Sequence, residues 1–174
     1  MLFAIVLDFG YTRDPTIPST IHDLGEHVLT YEAQTRGSII LAQSATYAHL
    51  CRQHPDLVRT GRIREIRIGQ SSAENGGGIQ DGGTYHVLRE AQGMILRHNC
   101  TSSEKPMLVT LVAHRLHMPR ALRQARLLGM SPIAAAYLPT KLYREAEQWW
   151  CRSAFLWYLR ECVRYFPLKL AKQI

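Results

Sequence analysis

The sequence predicts an α/β fold, a three-layer Rossmann-like domain with a mostly parallel five-stranded sheet. Short apolar runs of strand length alternate with segments of helical periodicity along the 174 residues. The run at residues 107–113 is continuously apolar, which is typical of a parallel strand covered on both faces. No repeat, linker or low-complexity tract divides the chain, so residues 1–174 are expected to form a single domain.

The first half of the chain predicts three strands and two helices. In order, these are a strand at 2–8, a helix from Ser19 or Thr20 to about residue 36, a strand at 38–42, a helix at 44–53 and a strand at 63–68. The last of these strands alternates apolar and charged residues, as a more exposed edge strand does.

The second half begins with a glycine-rich segment at residues 69–83, which we predict to be a mobile loop that serves as a lid. The elements predicted after it are a helix at 84–99, a strand at 107–113, a helix at 118–128, a short strand at 133–137 and a long helix at about 141–166. The strand at 107–113 is expected to lie inside the sheet, next to the first strand.

The C-terminal helix is unusually aromatic. Phe155, Leu159, Cys162 and Phe166 recur at helical spacing and predict a face packed on the core. An amphipathic helix on a membrane surface is the alternative interpretation. Further apolar residues widen the face, namely Trp150, Ala154, Trp157 and Tyr158. This width favours either a homodimer contact through the helix or a cover for the wall of a pocket.

Positive charge is concentrated in the last third of the chain. Residues 1–110 contain 10 Lys and Arg against 11 Asp and Glu, whereas residues 111–174 contain 11 against 3. A net charge of +8 in that third attracts phosphates, anionic lipid headgroups or nucleic acid. No recognised nucleic-acid motif is present, so nucleic acid is the least favoured of these partners.

Other features exclude several classes of protein. No apolar run has the roughly 20 residues needed to span a bilayer, and the N-terminus lacks a basic leader, so we predict a cytoplasmic protein without an integral membrane segment. The four scattered cysteines are expected to be reduced thiols. The histidines show no metal-ligand spacing, so no metal site is expected. Neither a dinucleotide fingerprint nor a P-loop occurs, and the sequence identifies no cofactor.

Ligand sites of open α/β sheets lie beyond the carboxyl ends of the strands, where the strand order reverses. This rule selects the candidate residues by their positions after the predicted strands. The predicted ligand-binding residues are Gly10, Ser44, Thr84, His114 and Arg120, and the predicted catalytic residues are Asp8 and His117.

The segment from His114 to Arg120 joins the most apolar strand to a helix. The free N–H groups at the start of that helix favour an anion, and Arg120 is able to grip phosphate or carboxylate with two hydrogen bonds. His117 is expected to titrate near neutral pH and so to contact the ligand or transfer a proton. The alternative is structural: His117 caps the helix and Arg120 pairs with an acid.

Residues His117-Met118-Pro119-Arg120-Ala121, after a strand containing Val and Thr, resemble the signature of the SanA/YdcF/ElyC-like family, bacterial proteins with a domain of unknown function. The opening Val6-Leu7-Asp8-Phe9-Gly10 is similar to the first turn of that family, and Thr84 falls where the family has Asn-Thr. Ala42-Gln43-Ser44-Ala45 replaces the family's Ser-Gly-Gly, and His86-Val87 replaces its Glu-Asn. The resemblance implies a Rossmann-like fold with a polar pocket.

The sequence therefore predicts a protein that binds a small anionic ligand, such as a nucleotide-like compound, at the carboxyl ends of the strands. Whether it is an enzyme stays open at this point. If it is, hydrolysis or group transfer on a phosphorylated compound fits best, with His117 as general acid or base and Asp8 orienting a hydroxyl or a water. The alternative function is non-catalytic, with the basic aromatic C-terminal third docking on an anionic membrane or on nucleic acid.

Overall fold

The structure, a computed structural model, describes residues 3–9, 19–34, 38–67, 83–99, 107–137 and 142–170. Its elements are β1 (Phe3–Leu7), α1 (Thr20–Gln34), β2 (Ile39–Gln43), α2 (Ser44–Gln53), α3 (Pro55–Arg59), β3 (Ile63–Ile66), α4 (Thr84–Asn99), β4 (Met107–Ala113), α5 (Met118–Leu127), β5 (Met130–Tyr137) and α6 (Ala154–Leu170). A 3₁₀ turn at Trp149–Cys151 precedes α6. Gly10 and the predicted lid up to residue 82 lie outside the described residues.

The five strands form one sheet in the order β3-β2-β1-β4-β5, and every pair is parallel. Within β1, Phe3 is paired with Ile39 on one side and with Val109 on the other. The predicted α/β Rossmann-like fold is therefore confirmed, as is the internal position of β4 beside β1. The strand order reverses between β1 and β4, and this reversal defines the expected ligand crevice.

Alternating side chains of β1 supply the cores on the two faces of the sheet. Phe3, Ile5 and Leu7 pack on one face, which α4 and α5 cover through residues such as Leu88 and Met118. The opposite face holds Ala4 and Val6 with the apolar side chains of α1 and α2, namely Ile21, Leu24, Val28 and Leu50. Helices on both faces complete the three layers.

Two short elements differ from the prediction. The predicted strand at 133–137 begins earlier, at Met130, because Gly129 ends α5 with a positive φ of 73° and the chain enters the sheet at once. Pro132 is accommodated because β5 is an edge strand and its register with β4 shifts at Val109/Thr110. Helix α3 was not predicted, although Pro55 occupies its first turn as prolines often do.

The predicted helix at about 141–166 is wrong at its start. Helix α6 begins at Ala154, where Ser153 Oγ accepts a hydrogen bond of 3.2 Å from the Leu156 N–H and so caps the helix. The preceding segment folds back on itself, since the Arg152 guanidinium donates to the Ala146 carbonyl at 2.7 Å. Buried Ala146 and Cys151 hold this turn against the protein, so the chain cannot continue as one helix.

The predicted core face of α6 is wrong for Phe155, Leu159 and Cys162, which are exposed, while Phe166 lies outside the residues whose side chains the structure describes. Within residues 154–163, whose side chains the structure describes, Trp157 is buried, whereas Phe155 is 73% exposed and Leu159 is 48% exposed. Trp157 packs with Phe9 at the carboxyl end of β1, so α6 covers that edge of the sheet rather than one of its faces. None of the described helices is long and apolar enough to cross a membrane.

Candidate functional site

A pocket lies at the carboxyl edge of the sheet, at the crevice between β1 and β4. Its volume is about 80 Å³, which suits a single small group such as a phosphate. The described residues that line it are Asp8, Phe9, Gln43, Gly83, Thr84, His117, Arg120, Gln148, Trp157 and Arg160. They come from the ends of two strands, from the starts of two helices and from α6 with the segment before it.

Asp8, directly after β1, reaches across to the start of α2. Its carboxylate accepts hydrogen bonds from the N–H groups of Ala45 at 2.9 Å and Thr46 at 3.1 Å, and from the Thr46 hydroxyl at 2.5 Å. Burial raises the pKa of Asp8, and these three hydrogen bonds oppose the rise. Asp8 thus caps α2 from a neighbouring strand.

Replacing Asp8 by alanine is expected to destabilise the fold by about 1–2 kcal/mol, because the first turn of α2 loses its cap. Urea unfolding measures the difference. Asp56→Ala is the matched control, since that acid forms an exposed ion pair with Arg59 and its loss is expected to cost less than about 0.5 kcal/mol. Equal effects of the two substitutions would contradict a capping role.

His117 lies at the start of α5 and is buried, with 6% of its surface exposed. Its Nε2 is 2.7 Å from the hydroxyl of Thr84, the first residue of α4. Its Nδ1 is also buried and has no hydrogen-bond partner within the part of the chain that the structure describes. The contact joins the starts of two helices and leaves one ring nitrogen for a further partner.

Burial lowers the pKa of His117, and repulsion from Arg120, His114 and Arg160 adds to this effect, so that the pKa is about 3. The lowered pKa disagrees with the expected titration near neutral pH. A neutral imidazole offers one donor and one acceptor, which suits hydrogen bonding better than proton donation.

Arg120 and Glu161 form a two-point ion pair between α5 and α6. Arg120 Nε donates to Glu161 Oε2 at 3.0 Å, and Nη2 donates to Oε1. Each side chain is 13% exposed. Arg120 thus pairs with an acid, as the structural interpretation of the sequence expected. It also lines the pocket.

Trp157 forms the wall of the pocket that α6 contributes. Its indole N–H donates to the Leu116 carbonyl at 3.0 Å, and its ring lies 4.7 Å from that of Phe9 and 5.7 Å from that of His117. Arg160, one turn further on, lies over the ring of Trp150 at 4.1 Å. The aromatic cluster therefore fixes where α6 crosses the sheet edge and where Arg160 meets the pocket.

Of the other predicted site residues, Thr84 lines the pocket, whereas His114 and Ser44 do not. His114 is buried and stacked on Phe9 at 4.2 Å, and its Nδ1 accepts a hydrogen bond of 3.2 Å from the Leu116 N–H, so it supports the loop below the pocket. Ser44 is exposed at the start of α2, and its neighbour Gln43 lines the pocket instead. Thr84 is in the pocket as predicted, and Gly10 lies outside the described residues.

Phe9 and Gly83 also line the pocket beside the predicted Asp8 and Thr84, and four further lining residues were not among the predicted site residues: Gln43, Gln148, Trp157 and Arg160. Gln43 comes directly after the predicted strand at 38–42, so the rule that selected Asp8 also applies to it. The other three depend on how α6 and the segment before it cross the sheet edge. The single acid of α6, Glu161, was a second signal, because a lone carboxylate in a basic segment is a natural partner for an arginine.

The pocket is polar and carries two arginines against one carboxylate. Comparison with protein-family models, characterised proteins and solved structures found no match to this chain. In the described part of the chain, no group of three or more His, Cys, Asp or Glu residues is placed to hold a metal ion. The guanidinium groups of Arg120 and Arg160 are donors of the kind that recognises an oxyanion.

Proposed function

We propose that the protein binds a small anionic ligand, such as a nucleotide-like compound, through one phosphate-sized group held in this pocket. The proposal rests on one observation: the buried Nδ1 of His117 has no hydrogen-bond partner among the described residues. His117 lines the pocket together with Arg120 and Arg160. A buried polar atom without a partner is costly, and a ligand oxygen would satisfy it.

One of the two possible directions of the hydrogen bond between Thr84 and His117 favours an anion. When the Thr84 hydroxyl donates to Nε2, the imidazole carries its proton on Nδ1 and needs an acceptor. Gly83 and Thr84 also bring the start of the 16-residue helix α4 to the pocket, where free N–H groups and the helix dipole favour negative charge. Arg120 and Arg160 would add charge-assisted hydrogen bonds.

The geometry favours binding over proton transfer. A pKa near 3 leaves His117 neutral, and the Asp8 carboxylate is engaged by three donors at the start of α2. Hydrolysis or group transfer on a phosphorylated compound therefore stays a hypothesis. Kinship with the SanA/YdcF/ElyC-like family is likewise part of the proposal, supported by residues 117–121 forming the start of α5 beside the pocket.

The test is calorimetric titration of the protein with inorganic phosphate and with AMP. Arg160→Gln is expected to weaken binding by roughly tenfold to 150-fold, because one charge-assisted contact is lost. Arg126→Gln is the matched control, since Arg126 is exposed at the end of α5 and does not line the pocket. Equal weakening by both variants would indicate diffuse attraction to the basic protein, and no binding of either compound would refute the proposal.

Glu161→Gln is expected to act in the opposite direction and tighten phosphate binding by about threefold to tenfold. Glu161 occupies the two donors of Arg120 that an anion needs, and glutamine competes for them without a negative charge. If Arg120 has only a structural role, the same variant leaves the affinity unchanged while the protein becomes less stable. Measuring affinity and melting temperature on the same preparation distinguishes these outcomes.

A further inference from the structure

The outer side of α6 presents a row of apolar side chains, Phe155, Tyr158, Leu159 and Val163, here called the apolar stripe. Their exposed fractions are 73%, 59%, 48% and 64%. The spacing of three, four and eight residues from Phe155 places them on one side of the helix. Isolated exposed apolar residues are ordinary, but a contiguous stripe of this kind marks an interaction surface.

The opposite side of α6 is anchored to the protein. Trp157 is buried against Phe9 and His117, and Glu161 is paired with Arg120. The helix is therefore already formed and oriented with its apolar stripe outward. A partner that covers the stripe would not have to supply the free energy of folding the helix.

We propose that the apolar stripe docks on the surface of an anionic lipid bilayer, with α6 lying in the plane of the interface. Residues 154–174 contain four Lys and Arg and one acid, Glu161, which is itself paired with Arg120. A positively charged segment that exposes Phe, Tyr and Leu combines the two attractions that hold a helix at an anionic bilayer.

Charge also decides between the bilayer and a second copy of the chain. A two-fold dimer through the apolar stripe would bring together two C-terminal thirds that each carry a net charge of +8. Like charges facing each other oppose such an interface, whereas lipid phosphates complement it. The charge of the sequence therefore favours the bilayer as the occupant.

The experiment is co-sedimentation of the full chain with vesicles of phosphatidylcholine alone and of phosphatidylcholine mixed with phosphatidylglycerol. We expect binding to the anionic vesicles only, and expect the double variant Phe155→Ser, Leu159→Ser to weaken it by at least about tenfold. Leu127→Ser is the matched control, because Leu127 is 71% exposed on α5 outside the stripe. Circular dichroism establishes that each variant is folded.

Three results would overturn the proposal. The first is a wild-type protein that stays in the supernatant with anionic vesicles. The second is a stripe variant that binds them as tightly as Leu127→Ser does. The third is a concentration-dependent dimer in sedimentation velocity that the stripe variant abolishes, which would make a second copy the occupant. The outcome is independent of phosphate binding in the pocket, so this proposal and the proposed function can fail separately.

Discussion

Lowering the pH from 6.5 is expected to destabilise the fold by about 1.4 kcal/mol per pH unit through His117 alone, until the pH approaches 3. The ordinary imidazole pKa of 6.5 applies to the unfolded chain, and the folded pKa is about 3. Between these values the unfolded chain binds a proton that the folded protein does not, so stability falls as the pH falls. At about pH 5 the contribution reaches roughly 2 kcal/mol.

Urea unfolding of the wild type and of His117→Gln across this pH range measures the effect. Glutamine retains a hydrogen bond to Thr84 and does not titrate, so the variant is expected to lose most of the slope. Asp8 changes stability with pH in the opposite direction: its pKa is raised in the folded protein, so the folded protein binds a proton before the unfolded chain does. This contribution is the same in the wild type and in His117→Gln, so it does not affect their comparison. The exposed His98 supplies the control His98→Gln. Parallel curves for the wild type and His117→Gln would contradict the assigned burial.

The second large effect concerns the ion pair that attaches α6 to α5. Arg120→Ala is expected to destabilise the protein by about 3 kcal/mol, because Glu161 is left mostly buried without its partner. Adding Glu161→Ala is expected to cost little more, which gives a coupling energy of about 1–3 kcal/mol in the double-mutant cycle. Urea unfolding of the four proteins supplies the values.

The exposed pair of Arg59 and Asp56 provides the comparison for this cycle. Both of its side chains are 83% exposed, and its coupling energy is expected to stay below about 0.5 kcal/mol. If the Arg120–Glu161 cycle gives a value as small, the pair does not hold α6 on the sheet edge. A large coupling energy together with unchanged phosphate affinity in Arg120→Ala would assign Arg120 a structural role alone.

Much of the fold could be predicted because its strands are local apolar runs. Residues 107–113 were predicted as a strand beside the first one, and β4 occupies that position. Asp8, Thr84, His117 and Arg120 converge in one pocket because the carboxyl ends of parallel strands meet at one edge of a sheet. These relations need only the order of elements and the direction of parallel strands.

The cover of the pocket could not be predicted in this way. Periodicity identified the apolar residues of α6, and the packed face was assigned to the side with Phe155 and Leu159. The side of α6 that packs inward is instead the side of Trp157, which contacts Phe9 and donates a hydrogen bond to the Leu116 carbonyl, both distant in the sequence. Helical spacing contains no information on such partners, so the side of the helix that packs inward was mistaken.

The central position of β1 has a consequence for how the protein folds. Its neighbours β2 and β4 lie on opposite sides of it in the sheet, and β4 comes from a distant part of the sequence, with Phe3 paired to Val109. Closing so long a loop costs chain entropy before the strand pairing compensates for it, so folding is expected to be slow for a domain of this size. We therefore expect the crevice between β1 and β4 to form late in folding. During synthesis, the edge of β1 that pairs with β4 stays unpaired until the ribosome has released residues through Ala113.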